Sequence, residues 1–191
     1  MRFKVALLAC SVALLGCSDD PVSPTGVSGS LSFSYTGAGA TASTTFNANG
    51  AIPTNIGNSF GTGSWAAGSV SQTSNYVVIG GSIAKTSTTW DLTSIGIARK
   101  TVGTSTIDSS CDEEEECTGV FVSFNQGQSD NAFTHYCWLT SGSVTISAIS
   151  STNITGTFSG SGFCYSHTGA ETAFTVTNGS FNVGVTTQLL E

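Results

Sequence analysis

Charge is what this sequence has least of. Five of its 191 residues are Lys or Arg and twelve are Asp or Glu, so 9% is charged, where an ordinary soluble domain carries roughly 25%. Helices with a solvated face need such residues in quantity, and no stretch keeps a helical period. The formal net charge of −7 leaves no basic surface for nucleic acid. Also absent are a Gly-x-Ser-x-Gly nucleophile elbow and a Cys-x-x-Cys zinc spacing. Two histidines, His135 and His167, are few for acid-base or metal chemistry. The carboxylates Asp91, Asp108, Asp130 and Glu171 read as turn or strand-end residues rather than a glycosidase pair. No enzyme is expected from these residues.

What is present is small and hydroxylated: Ser and Thr number 58 and Gly 23, a composition of strands and turns. From about Ser28 the apolar residues alternate, as in Leu31, Phe33 and Tyr35, or Val77, Ile79 and Ile83. Val120, Val122 and Phe124 follow the same rule, as do Val144, Ile146 and Ala148, then Phe174 and Val176, then Phe181, Val183 and Val185. Each run buries one face and wets the other. About ten or eleven strands fit, and the expected fold is an all-β antiparallel sandwich, with a closed barrel as the alternative. Asn49-Gly50, Gly127-Gln128, Ser141-Gly142 and Asn178-Gly179 carry turn chemistry, and Ile149 to Ile154 reads as a hairpin.

The N-terminus is a different text. Arg2 and Lys4 precede an apolar and small run from Val5 to Gly16, the build of a signal peptide and too short to span a membrane as a mature helix. Leu14-Leu15-Gly16-Cys17 resembles the lipobox of bacterial lipoproteins, which implies cleavage before Cys17 and acylation of its thiol and new amino group. An ordinary secretory signal with an incidental cysteine is the plainer alternative. The expected domains are a signal peptide over 1–16, a lipidated Cys17 with a flexible tether over 17–28, and one β-domain over 29–191. Cleavage leaves three bases against twelve acids. Ser18-Asp19-Asp20 resembles the acidic export signal of some Bacteroidota lipoproteins. The expected location is the outer membrane, facing periplasm or cell surface.

Ser141-Gly142-Ser143-Val144-Thr145-Ile146, Ile154-Thr155-Gly156-Thr157-Phe158-Ser159-Gly160 and Phe174 to Phe181 resemble the C-terminal half of small bacterial lipoprotein domains of unknown function. Leu31 to Gly37 is similar to their first strand. The resemblance implies a β-fold and an envelope location, and brings no catalytic residue.

Beyond Cys10, inside the leader, and Cys17, four cysteines remain: Cys111, Cys117, Cys137 and Cys164. An even count in an exported chain favours two disulfides, here 111–117 and 137–164. Facing positions that sum to 301 would pair Cys137 with Cys164, Tyr136 with Tyr165 and Trp138 with Phe163. A meander turning at Ser141-Gly142 would instead put a strand between them. Asp112, Glu113, Glu114, Glu115 and Glu116 must lie exposed, as a solvated tip or a weak Ca²⁺ site, although their spacing is not that of an EF-hand.

His135 shares parity with Phe133, Cys137 and Leu139 and reads as a partly buried, hydrogen-bonded side chain. Tyr136 and Trp138 take the opposite parity, where they would stand outside as a ligand platform, joined by Trp65, Trp90 or Tyr76; core packing is the alternative for each. The expected function is a lipid-anchored, monomeric, non-enzymatic binding or adhesion module at the cell envelope, meeting the membrane through Cys17 and a glycan or protein through the aromatics. A purely structural surface lipoprotein and a barrel carrying a small apolar ligand are the alternatives.

Overall fold

A computed structural model describes residues 27–53, 63–107, 119–128, 133–186 and 189. The expected leader, Cys17, most of the expected tether, Asp108, the segment from Cys111 to Cys117 with its five acids, and Asp130 lie outside the described residues. Among the described residues ten antiparallel strands form one sheet: β1 (Ser28–Gly37), β2 (Ala40–Ala51), β3 (Ser64–Val70), β4 (Val77–Ala84), β5 (Thr89–Ile97), β6 (Gly103–Thr106), β7 (Val120–Gln128), β8 (Phe133–Ile149), β9 (Asn153–Ser166) and β10 (Glu171–Gly184). Their order is β2-β1-β10-β9-β8-β7-β5-β4-β3, with β6 lying against β8. β1 pairs with β10, so the sheet curls into a nearly closed barrel whose seam lies between β2 and β3. One side chain fastens that seam: the Asn49 backbone N–H of β2 donates to Ser64 Oγ of β3 at 2.9 Å. Separately, the Thr186 N–H, past the end of β10, donates to the Gly68 carbonyl of β3 at 2.7 Å.

Alternation puts Leu31, Phe33, Phe46, Ile79, Val122, Phe124, Phe158 and Phe174 in one interior cluster. Aromatic rings fill it. Phe33 stacks on Phe46 at 4.8 Å, meets Phe124 edge-on at 5.7 Å, and Phe124 stacks on Phe174 at 5.7 Å. Such ring pairs add about 0.5–1.5 kcal/mol each beyond their buried area.

The four expected turns are the main correction to the sequence reading. Asn49-Gly50 lies within β2, Gly127-Gln128 ends β7, Ser141-Gly142 lies within β8, and Asn178-Gly179 lies within β10. The last two are bulges, where register shifts between Leu139 and Ser141 and between Val176 and Gly179. A bulge adds one unpaired residue and inverts inside and outside beyond it. Accordingly Cys137 and Leu139 face inward before the β8 bulge, and Val144 and Ile146 after it. Positive φ supplies the kink, +128° at Gly142 and 53° at Asn178, values that Gly and Asn adopt most readily. The turn at 150–152 falls within the hairpin expected over Ile149 to Ile154, and a second turn, at 167–170, joins β9 to β10.

Candidate functional site

With no turn at Ser141-Gly142, no strand intervenes between β8 and β9, and they form a single long hairpin. Its register pairs Tyr136 with Tyr165, Cys137 with Cys164 and Trp138 with Phe163, the pairing expected from positions summing to 301. Cys137 and Cys164 are fully buried and joined in a disulfide with Cα atoms 3.9 Å apart. Because they point inward, their neighbours on both strands point outward.

Those neighbours are aromatic. Trp138 lies between Tyr136, at 5.3 Å, and Tyr165, against which it stacks at 5.1 Å and 14°. Tyr136 and Phe163 are each 40% exposed, although burial of such a ring is worth roughly 1.5–3 kcal/mol. The Tyr165 hydroxyl donates to Glu171 Oε2. That bond holds the phenol neutral, and with slight burial and the Glu171 charge it pushes the Tyr165 pKa up. Opposite Tyr136, on β7, stands Asn125. It is 7% exposed, and its Oδ1 has no hydrogen-bond partner, a state that buried polar atoms rarely keep.

The other aromatic candidates do not join this strip. Trp65 is covered on the outer side of β3, clustered with Ile52, Ala67 and Leu189. Trp90 is buried, its indole N–H donating to the Gln128 carbonyl at 3.3 Å. The Tyr76 hydroxyl lies over Gly96, on β5. Phe133 departs from its expected inward parity and is 43% exposed, packed edge-on against Trp90 at 5.6 Å. A register shift between Gln126 and Gly127 sets Phe133 opposite Gly127, on the outer face.

A second polar group, inside one end of the barrel, was not evident from sequence. Asp91 is 2% exposed, and its Oδ2 lies 2.7 Å from Lys85 Nζ. Lys85 also hydrogen-bonds the Tyr35 phenol, and Gln126 bonds both Asp91 and, at 3.4 Å from Nε2, the Tyr35 hydroxyl. Burial raises the Asp91 pKa despite the opposing hydrogen bond and charge of Lys85. Burial also presses on Lys85, but its bond and charge pairing with Asp91 outweigh that, and its pKa is raised too. The asymmetry follows from depth: the carboxylate is enclosed, while the lysine remains half open to water. Within the pair the two opposite charges face each other at 2.7 Å.

His135 takes its expected inward parity but not its expected hydrogen bond, since Nδ1 is buried without a partner. Burial lowers its pKa, and the neighbouring His167 lowers it further. No group of three His, Cys, Asp or Glu among the described residues is placed to hold a metal. No family model, curated protein or solved structure matches the chain.

Proposed function

We propose that the protein is an exported, lipid-anchored binding module of the cell envelope, with the aromatic strip of β8 and β9 as its contact surface. One observation carries the reading: Tyr136, Trp138, Phe163 and Tyr165 share the outer face of one disulfide-stapled hairpin, with Tyr136 and Phe163 substantially open to solvent. Exposed aromatic clusters on rigid elements mark contact surfaces, because the fold gains little by leaving them wet. Lipid attachment at Cys17 and display at the outer membrane rest on the Leu14 to Cys17 sequence. No catalytic role is assigned. The carrier alternative needs interior space where the Phe33, Phe46, Phe124 and Phe174 rings now pack. Ca²⁺ at Asp112 to Glu116 and the 111–117 disulfide stay with this proposal as sequence-based parts.

Thermal unfolding of the oxidised protein across soluble glycans, Ca²⁺ and fatty acids tests it, since a ligand preferring the folded state raises stability by RT ln(1 + [L]/Kd). A glycan-induced shift that Trp138→Ala removes is the expected result. Shifts with fatty acids alone would favour the carrier, and no shift at any concentration would favour a purely structural lipoprotein. Mass spectrometry of the exported chain reads acylation of Cys17 directly.

A further inference from the structure

The face that carries the aromatic strip continues along the hairpin as an uncharged lane of hydroxyls. β9 runs without a bulge, so Tyr165, Phe163, Ser161, Ser159 and Thr157 point the same way. At about 3.3 Å per residue the lane extends roughly 26 Å. It is also wide. Thr145, Thr157, Ser180, Ser32 and Asn47 stand directly opposite one another on β8, β9, β10, β1 and β2. Strands β1, β2, β6, β8, β9 and β10 contain no Lys or Arg and a single carboxylate, Glu171. Beside the lane, where the Asn178-Gly179 bulge breaks the sheet's regular surface, a shallow groove of about 370 Å³ is lined by Ser143, Thr157, Ser159, Asn178 and Ser180. At the aromatic end, Asn125 is more than nine-tenths buried and keeps an unpartnered Oδ1 at the position facing Tyr136.

We infer that the partner of this face is an extended neutral polysaccharide, lying along β8 and β9 with one end against Tyr136 and Phe163 and its hydroxyls on the Ser/Thr lane. The inference rests on the binding reading above and narrows it to one ligand class. The chemistry is matched: each Ser or Thr hydroxyl both donates and accepts, as a sugar hydroxyl does, so the chain can exchange bonds with water at little net cost. Rings at one end supply the apolar contact that hydroxyls lack. A polyanion finds no Lys or Arg within these strands, Arg99 reaching only the Thr104 carbonyl at the β6 edge, and meets an acidic protein, while a polycation finds only Glu171 on these strands.

Affinity electrophoresis of the purified oxidised protein through gels containing hydroxyethylcellulose, dextran or galactomannan, each neutral, and through polygalacturonate tests it. Retardation by at least one neutral polymer and none by polygalacturonate is expected. Tyr136→Ala and Ser159→Glu should each weaken that binding about tenfold or more, whereas Ser87→Glu, in the exposed β4–β5 turn, should not. Circular dichroism establishes that each variant is folded. Retardation that Tyr136→Ala abolishes but Ser159→Glu leaves intact overturns the lane while sparing the aromatic contact. No retardation in any neutral gel, or retardation by polygalacturonate alone, overturns the polysaccharide. Photo-crosslinking from position 136 to an envelope protein would then show that the strip binds a protein instead.

Discussion

Two aromatic clusters sit back to back in this sheet, separated by one layer of backbone. Inside, Phe33, Tyr35, Phe46, Phe124 and Phe174 pack ring against ring and are all nearly inaccessible. Outside, Trp138 touches Tyr136 and Tyr165, Phe163 stands opposite it on β9, and Tyr136 and Phe163 face water. Residue type does not separate them. Parity on the strand does: it buries the first group in the core and turns the second outward, where the proposed contact surface lies. The same chemical group therefore has opposite consequences when it is removed.

Phe124→Ala should show the largest effect on folding. It opens a cavity among Phe33, Tyr35, Phe46 and Phe174, and denaturant unfolding should register a loss of about 3–5 kcal/mol. Joint replacement of Cys137 and Cys164 by Ala comes next. The bridge spans a sequence separation of 27, which the chain-entropy relation converts to about 3.5 kcal/mol. Because the bond ties together the positions between the two outward ring pairs, this variant should also weaken ligand binding, which would couple the clusters that parity keeps apart.

Lys85→Met should cost roughly 2 kcal/mol at neutral pH, less than a fully enclosed pair because Lys85 is 43% exposed. The pH dependence is the sharper test. Burial holds the Asp91 pKa above its ordinary value, and a group raised in the folded state favours folding while protonated and loses that contribution as pH rises through its folded pKa. Without Lys85 the loss deepens. Stability of Lys85→Met, followed by urea titration, should therefore fall more steeply than that of the unaltered protein between acidic and neutral pH. In the unaltered protein the raised pKa of Lys85 preserves its side of the pair at neutrality, and that contribution disappears as pH rises beyond the lysine range.

Trp138→Ala should have the smallest effect on folding, about 1 kcal/mol or less by chemical denaturation, since the ring faces outward. Its loss of ligand affinity should be disproportionate to that change. A variant that lost stability as Phe124→Ala does would collapse the distinction between the two clusters.

Much of the strip was legible because alternation is local. Cys137 and Leu139 on one parity imply Tyr136 and Trp138 on the other, and a single register assumption brings Tyr165 and Phe163 beside them. The bulges were less legible. Asn-Gly and Ser-Gly supply the same positive φ to a tight turn and to a kink within a strand, so the dipeptide alone does not distinguish the two. The parity reversal between Val176 and Phe181 was the available signal, since a bulge inverts facing without ending the strand. Phe133 escaped for a related reason: Thr134 is an extra, unpaired residue of β8 between His135, opposite Gln126, and Phe133, opposite Gly127, and no Gly or Asn marks that bulge in the sequence. Asp91 and Gln126 are register partners on β5 and β7, and Lys85 follows β4 in the hairpin that leads to Asp91, but only closure of the barrel brings Tyr35 of β1 against them.

The seam between β2 and β3 gives that closure a direction. A ring of strands hydrogen-bonded all the way round has no terminus from which to unravel. Here the circle is a clasp: among the described residues β2 is zipped along its length to β1 alone, and its far side is fastened near one end by Asn49 and Ser64. The barrel thus has a first strand to lose, on the far side of the sheet from the stapled hairpin. Loosening can begin at β2 while the β8–β9 surface keeps its shape.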